Sequence, residues 1–193
     1  MRHVEAWTDV QMLYIPCVVS LRAKTSLGSG VVQSPEHFHL WLPSALRRQI
    51  PYDRELKEIE WKLHVGQAHD ALEELWQGLC SLSYMLRFKD RFLRGQGATT
   101  RARNCLALVG VKIDLCATKY CAAYSALLTL SPLLGKVGWQ STFRPLEKED
   151  IHCMTDGTDN QASKERRRLS WIWIACGSGN GKGGEDQSLQ DGK

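Results

Sequence analysis

The chain has no apolar run long enough to cross a bilayer. Its longest candidate, Met12 to Leu21, contains Pro16, follows Glu5 and Asp9, and has no small-residue cleavage site. Neither a membrane span nor a secretory leader is expected from it. The seven cysteines, at 17, 80, 105, 116, 121, 153 and 176, are odd in number and fall at no framework spacing. That suits free thiols in an intracellular, reducing compartment better than a disulfide scaffold. Charge of one sign is also scarce. A formal net charge of +4 over 193 residues is well short of what an obligate polyanion binder carries, so any nucleic-acid contact must be local.

Chemistry-bearing motifs are missing or incomplete. Gly177-Ser178-Gly179-Asn180-Gly181-Lys182 suggests a phosphate loop after the strand-like Trp171-Ile172-Trp173-Ile174, but Cys176 takes the first glycine position and Gly183 the hydroxyl position. No helix-forming stretch follows to put a dipole behind the amides, so the segment reads as a glycine-rich tail. Cys116 and Cys121, like His64 and His69, are five apart on helical stretches and diverge by about 140°. His37 with His39, or His152 with Cys153, offers two ligands where structural zinc takes four. Glu147, Glu149, Asp150, Asp156 and Asp159 lie in a polar, irregular stretch that reads as a solvated loop. No catalytic, cofactor-binding or metal-binding residue is assigned, and no small-molecule substrate is implied.

What is present is periodicity. Trp61, Val65, Ala68, Leu72, Leu75, Leu79, Leu82, Leu86 and Leu93 follow one another at alternating steps of four and three, with Lys89 as the polar member. This is the seam of a coiled coil. Asp53 can cap the helix and Gly95 stands at its C-terminal end, giving a helix over 53–94, about 60 Å long at 1.5 Å per residue. After Gly95-Gln96-Gly97-Ala98, Thr99 or Thr100 can cap a second helix. Its seam is Ala102, Leu106, Val109, Ile113, Cys116, Tyr120, Ala123, Leu127 and Leu130, and Ser131-Pro132 should end it. So short a connection forces the helices to fold back antiparallel.

The expected fold class is mainly α: a long antiparallel two-helix coiled-coil hairpin with a packed N-terminal helical segment and a disordered C-terminal tail. Residues 1–50 would hold the N-terminal segment and a loop, 51–132 the hairpin, 133–175 an irregular segment with a Trp-rich stretch, and 176–193 the tail. In the first of these, Trp7, Val10, Tyr14, Cys17 and Leu21 recur at helical spacing around Pro16, residues 24–42 read as loop with an extended piece, and Pro43 to Gln49 as a short helix. Residues 155–168 are polar enough for a mobile linker.

Each hairpin helix bears a second apolar stripe: Leu63, Trp76, Tyr84, Met85, Phe88 and Phe92 on the first, and Leu108, Val111, Leu115, Ala122 and Ala126 on the second. Such stripes call for another packed element or a partner. Charge is polarised too. Residues 87–103 hold Arg87, Lys89, Arg91, Arg94, Arg101 and Arg103 against Asp90 alone, a net +5, whereas 53–74 carry seven acids and three bases, a net −4. Phe88 and Phe92 interleave with the six cations, which are the candidate nucleic-acid contacts; the competing reading is a solvated helix end, where cations also suit the dipole. Lys164 to Arg168 is a second basic cluster of the kind found in nuclear-localisation signals.

The run Ala68-His69-Asp70-Ala71-Leu72 through Phe88-Lys89-Asp90-Arg91-Phe92, with Arg94-Gly95-Gln96 and Thr100-Arg101-Ala102-Arg103, resembles the C-terminal region of Kyakuja-Dileera-Zisupton transposases of fungal mobile elements. The likeness continues through Lys119-Tyr120, Ala122-Ala123-Tyr124, Pro132 to Trp139, Arg144-Pro145-Leu146 and Arg168 to Trp173, and reaches back to Trp7, Leu13-Tyr14, Pro16 and Leu42 to Ala45. The family's zinc modules and ribonuclease-H-like core lie outside the region of likeness, so no catalytic residue is carried over. The resemblance implies an assembly or DNA-contacting role, with another copy, a related transposase chain or DNA as partner, and a nuclear location. Trp76, Cys80 and Cys121 stand where related copies tend to read arginine, as expected of a decaying copy.

Overall fold

A computed structural model describes residues 2–26, 38–46, 53–153 and 170–177. Six α-helices are present among them: α1 Arg2–Tyr14, α2 Val18–Ser26, α3 Pro43–Leu46, α4 Arg54–Phe92, α5 Gln96–Leu134 and α6 Trp171–Gly177. Two 3-10 turns, Trp139–Ser141 and Lys148–Asp150, lie between α5 and α6. The described residues contain no strand, and α4 packs against α5 as a helical hairpin.

Local chemistry explains the boundaries. Asp53 accepts the Glu55 amide at 3.2 Å and caps α4. The turn is tighter than the sequence suggests, because Gly95, at φ 90°, serves as the cap of α5, its carbonyl accepting the Thr99 amide. Thr99 and Thr100 are therefore inside α5, and their hydroxyls donate back to the carbonyls of Gly95 and Gln96 instead of capping. Nor does Pro132 end α5, which continues to Leu134. The Ser131 hydroxyl reaches the Leu128 carbonyl that the proline cannot bond, at 3.4 Å. Termination falls to Gly135 at φ 66°, where the Lys136 amide donates to the Ser131 carbonyl in a Schellman arrangement.

The two helices run through two compact units, 1–66 with 123–139 and 67–122 with 140–193. In the first, Ile15, Val18 and Leu46 form a buried cluster against Cys17, Leu21, Trp41 and Leu56. The N-terminal segment thus packs on α4 as expected, although by a different face: Val10 and Tyr14 are exposed while Gln11 and Ile15 are buried. Gln11 donates to the carbonyls of Leu40 and Trp41 at 2.7 and 2.9 Å, which holds Trp41 at its positive φ of 50°. Arg22 donates to Gln11 and lies over the rings of Trp7 and Phe38. Residues 38–42 adopt no regular structure, and the short helix after Pro43 is described as far as Leu46.

In the second unit the core joins Leu75 and Leu79 of α4, Ile113 and Cys116 of α5, and Ile172 and Trp173 of α6. The Trp171–Ile174 stretch is helical, contrary to its strand-like alternation. Ser170 starts the helix by accepting the Ile172 amide on its hydroxyl, and burial of both Ile172 and Trp173 needs helical spacing here. The Trp171 indole donates to Asp150 and the Trp173 indole to the His152 carbonyl, both at 3.2 Å. Tyr120, fully buried, donates to the Arg144 carbonyl at 2.6 Å. The expected mobile linker and glycine-rich tail lie outside the described residues, apart from the end of α6.

Candidate interaction surface at the hairpin tip

Both seams read from sequence are internal, but unevenly. From Ala68 to Leu79 and from Ile113 to Leu130 the seam positions are buried, whereas Leu82, Leu93, Ala102, Leu106 and Val109 are half-buried and Leu86 is exposed. The turn end is therefore the thin part of the second unit. There the sequence-predicted cations Arg87, Arg91, Arg94, Arg101 and Arg103 are exposed, and Lys89 is half-buried. Helical spacing of four aligns Tyr84, Phe88 and Phe92 in an outward ladder, with ring centroids 6.5 and 5.2 Å apart.

Between α4 and α5 at this end lies an open groove of about 350 Å³, walled by Tyr84, Met85, Phe88, Leu93, Ala102 and Leu106, with Arg101 at its edge. Ala98 and Cys105 complete the α5 wall. The cause is a size mismatch: alanines at 98 and 102 face methionine and aromatic side chains, so the helices cannot fill the space between them. The cations were legible in the sequence. The groove was not, since it depends on which side chains meet across the turn, and alanines also occur at the buried seam positions 68 and 123.

Of the second stripes, Trp76 is covered, its ring edge-on to Trp173 at 6.5 Å, although its buried indole nitrogen has no hydrogen-bond partner among the described residues. Leu63, Tyr84, Phe92, Leu108, Val111 and Leu115 remain more than half exposed. Cys80 packs beside the second core, and Cys121 is exposed.

The other candidate groups are placed in structural roles or apart. Cys116 is buried and Cys121 exposed, as five-residue spacing requires. The Cys116 thiol donates to Glu74 at 3.3 Å, and Lys119 meets the same carboxylate oxygen at 3.3 Å. Burial, then the Glu74 contact, pushes the Cys116 thiol above the ordinary range; the thiol bond and Lys119 hold Glu74 below its own. His152 bonds the Glu149 carbonyl through Nδ1, and Cys153 faces the Leu79 carbonyl. His37, Asp156, Asp159 and the Lys164–Arg168 cluster lie outside the described residues. No group of three or more potential metal ligands occurs among the described residues.

One trio has the composition of a hydrolase site. Buried Glu60 accepts the Ser44 hydroxyl at 2.6 Å and the Ser44 amide at 3.0 Å, and His64 lies 3.4 Å from the same carboxylate. An activated serine needs its base on the hydroxyl, with the acid behind the base. Here the hydroxyl donates to the acid, so the trio anchors α3 to α4.

No family model matches the chain, and neither a curated protein nor a solved structure is detectably similar to it. No helix among the described residues is long and apolar enough to cross a membrane.

Proposed function

We propose that the chain is a non-catalytic interaction protein, derived from the C-terminal region of a Kyakuja-Dileera-Zisupton transposase, whose hairpin mediates self-association or holds a partner chain. The observation behind this reading is the apolar surface left outside the seam. Leu108, Val111 and Leu115 recur on α5 at steps of three and four with more than half of each side chain in water. A stripe of that spacing matches helix pairing, and isolated exposed leucines would need no such register. A nuclear location accompanies the family resemblance. Sedimentation of the purified chain across a concentration series tests the reading: association should be present, and should weaken on changing Leu108 and Leu115 to Gln. A chain that stays monomeric and captures no related transposase chain rules it out.

A second reading, DNA binding at the tip, is favoured by the six cations between residues 87 and 103, five of them exposed, in the same stretch as the Tyr84–Phe88–Phe92 ladder. Phosphate contacts release counterions, so affinity should fall steeply with salt. Changing Arg87, Arg91, Arg94 and Arg101 to Gln should flatten that slope, and an unchanged slope removes the tip from the DNA-binding surface.

A further inference from the structure

Resting on the interaction reading, we propose that the groove at the hairpin tip receives the outer ridge of α4, Ile59 with Leu63, from a second copy of this chain. Groove and ridge complement each other in shape chemistry. The groove is walled by carbon from Tyr84, Met85, Phe88, Ala102 and Leu106, and its volume of about 350 Å³ lies at the small end of ligand pockets, roughly 300–1,000 Å³. Ile59 and Leu63 stand one turn apart on α4, 51% and 67% exposed among the described residues, so they form a two-residue aliphatic knob.

Charge selects the partner. The groove sits in the stretch with net +5, and the ridge sits in the stretch with net −4. At the helical step of 100° per residue, Glu55 and Asp70 fall on the same side of α4 as Ile59 and Leu63. A second copy therefore presents acids around an apolar knob to cations around an apolar groove, which brings unlike charges together and near-neutralises both. Nucleic acid would satisfy the cations and stack on the aromatic ladder, but would bring no aliphatic knob to the groove. The contact is heterologous, since the groove of one copy takes the ridge of the next; closure of two such contacts gives a dimer, and failure to close gives a chain of copies.

The test uses the full chain in two variants at exposed positions. Ala98→Trp fills the groove from its α5 wall, and Ile59→Gln with Leu63→Gln removes the knob; circular dichroism checks that each remains helical. In sedimentation velocity the unaltered chain should self-associate, more weakly as salt rises, and each variant should lose at least about tenfold in affinity. Mixing the two variants should restore one contact, because the knob-deficient copy keeps its groove and the groove-filled copy keeps its knob. Self-association that survives both variants but is lost with Leu108→Gln and Leu115→Gln overturns this inference while leaving the interaction reading intact. Failure of the mixture to reassociate also overturns it. A monomeric chain that binds DNA through the tip arginines overturns both.

Discussion

The covered stretch of the second unit and its tip obey the same heptad rule and end up in different environments. At Leu75, Leu79, Ile113 and Cys116 the seam is closed to water, and α6 lies over it with Ile172 and Trp173. Toward the turn, Leu86, Leu93, Ala102 and Leu106 continue the same spacing but stay partly wet. Two helices bury one stripe each between them, and full exclusion of water takes a third element. What distinguishes the regions is thus the arrival of α6 with Leu146, Ile151 and Cys153, a long-range event that local periodicity does not encode.

The largest expected effect separates the two regions directly. Leu79→Ala under α6 should cost about 2–5 kcal/mol of unfolding free energy in urea, whereas Leu86→Ala at the tip should cost less than about 1.5 kcal/mol. Equal losses would mean that the two stretches are equally packed. Glycines sharpen the contrast. A Cβ at Gly78 would meet the Ile113 side chain at 2.9 Å, so Gly78→Ala should destabilise by about 1–3 kcal/mol; at Gly110 it would meet nothing within 4 Å, and Gly110→Ala should stabilise by about 0.5–1 kcal/mol. Tyr120→Phe leaves the Arg144 carbonyl without its donor and should cost about 1–2 kcal/mol, measurable as a shift in urea midpoint.

The smallest effects concern ionisation. Cys105 at the tip is exposed, while burial and Glu74 raise the Cys116 thiol, so maleimide at neutral pH should label Cys105 well before Cys116. Comparable rates would show that the cover over Cys116 opens. Glu74 has a depressed folded value, so its contribution is present above the ordinary carboxylate range and is lost as pH falls through the folded value. Glu74→Gln should therefore reduce the acid-side loss of stability.

Much of the hairpin was legible because a 3.5-residue repeat over many turns has no other economical explanation than a helical seam. Asp53 as a cap was legible for the same local reason. Thr99 and Thr100 look like caps but bond backwards, because Gly95 already starts the helix at positive φ. Pro132 looks like a terminator, yet the serine before it satisfies the freed carbonyl within the last turn. Trp171 to Ile174 alternates like a strand and is helical, since its indoles and isoleucine are fixed by Asp150, His152 and a core assembled from distant residues. At the tip the cations were readable as composition, whereas the groove depends on paired side-chain volumes that no single stretch of sequence contains.

The late position of α6 bears on how the chain matures on the ribosome. Both hairpin helices emerge before Ile172 and Trp173, so the face that α6 will occupy is bare while the remaining residues are polymerised at ~5–20 per second. During those seconds the nascent hairpin presents Leu75, Leu79 and Ile113 beside its outer stripes, a moment at which chaperones or a neighbouring nascent copy can engage it before α6 does.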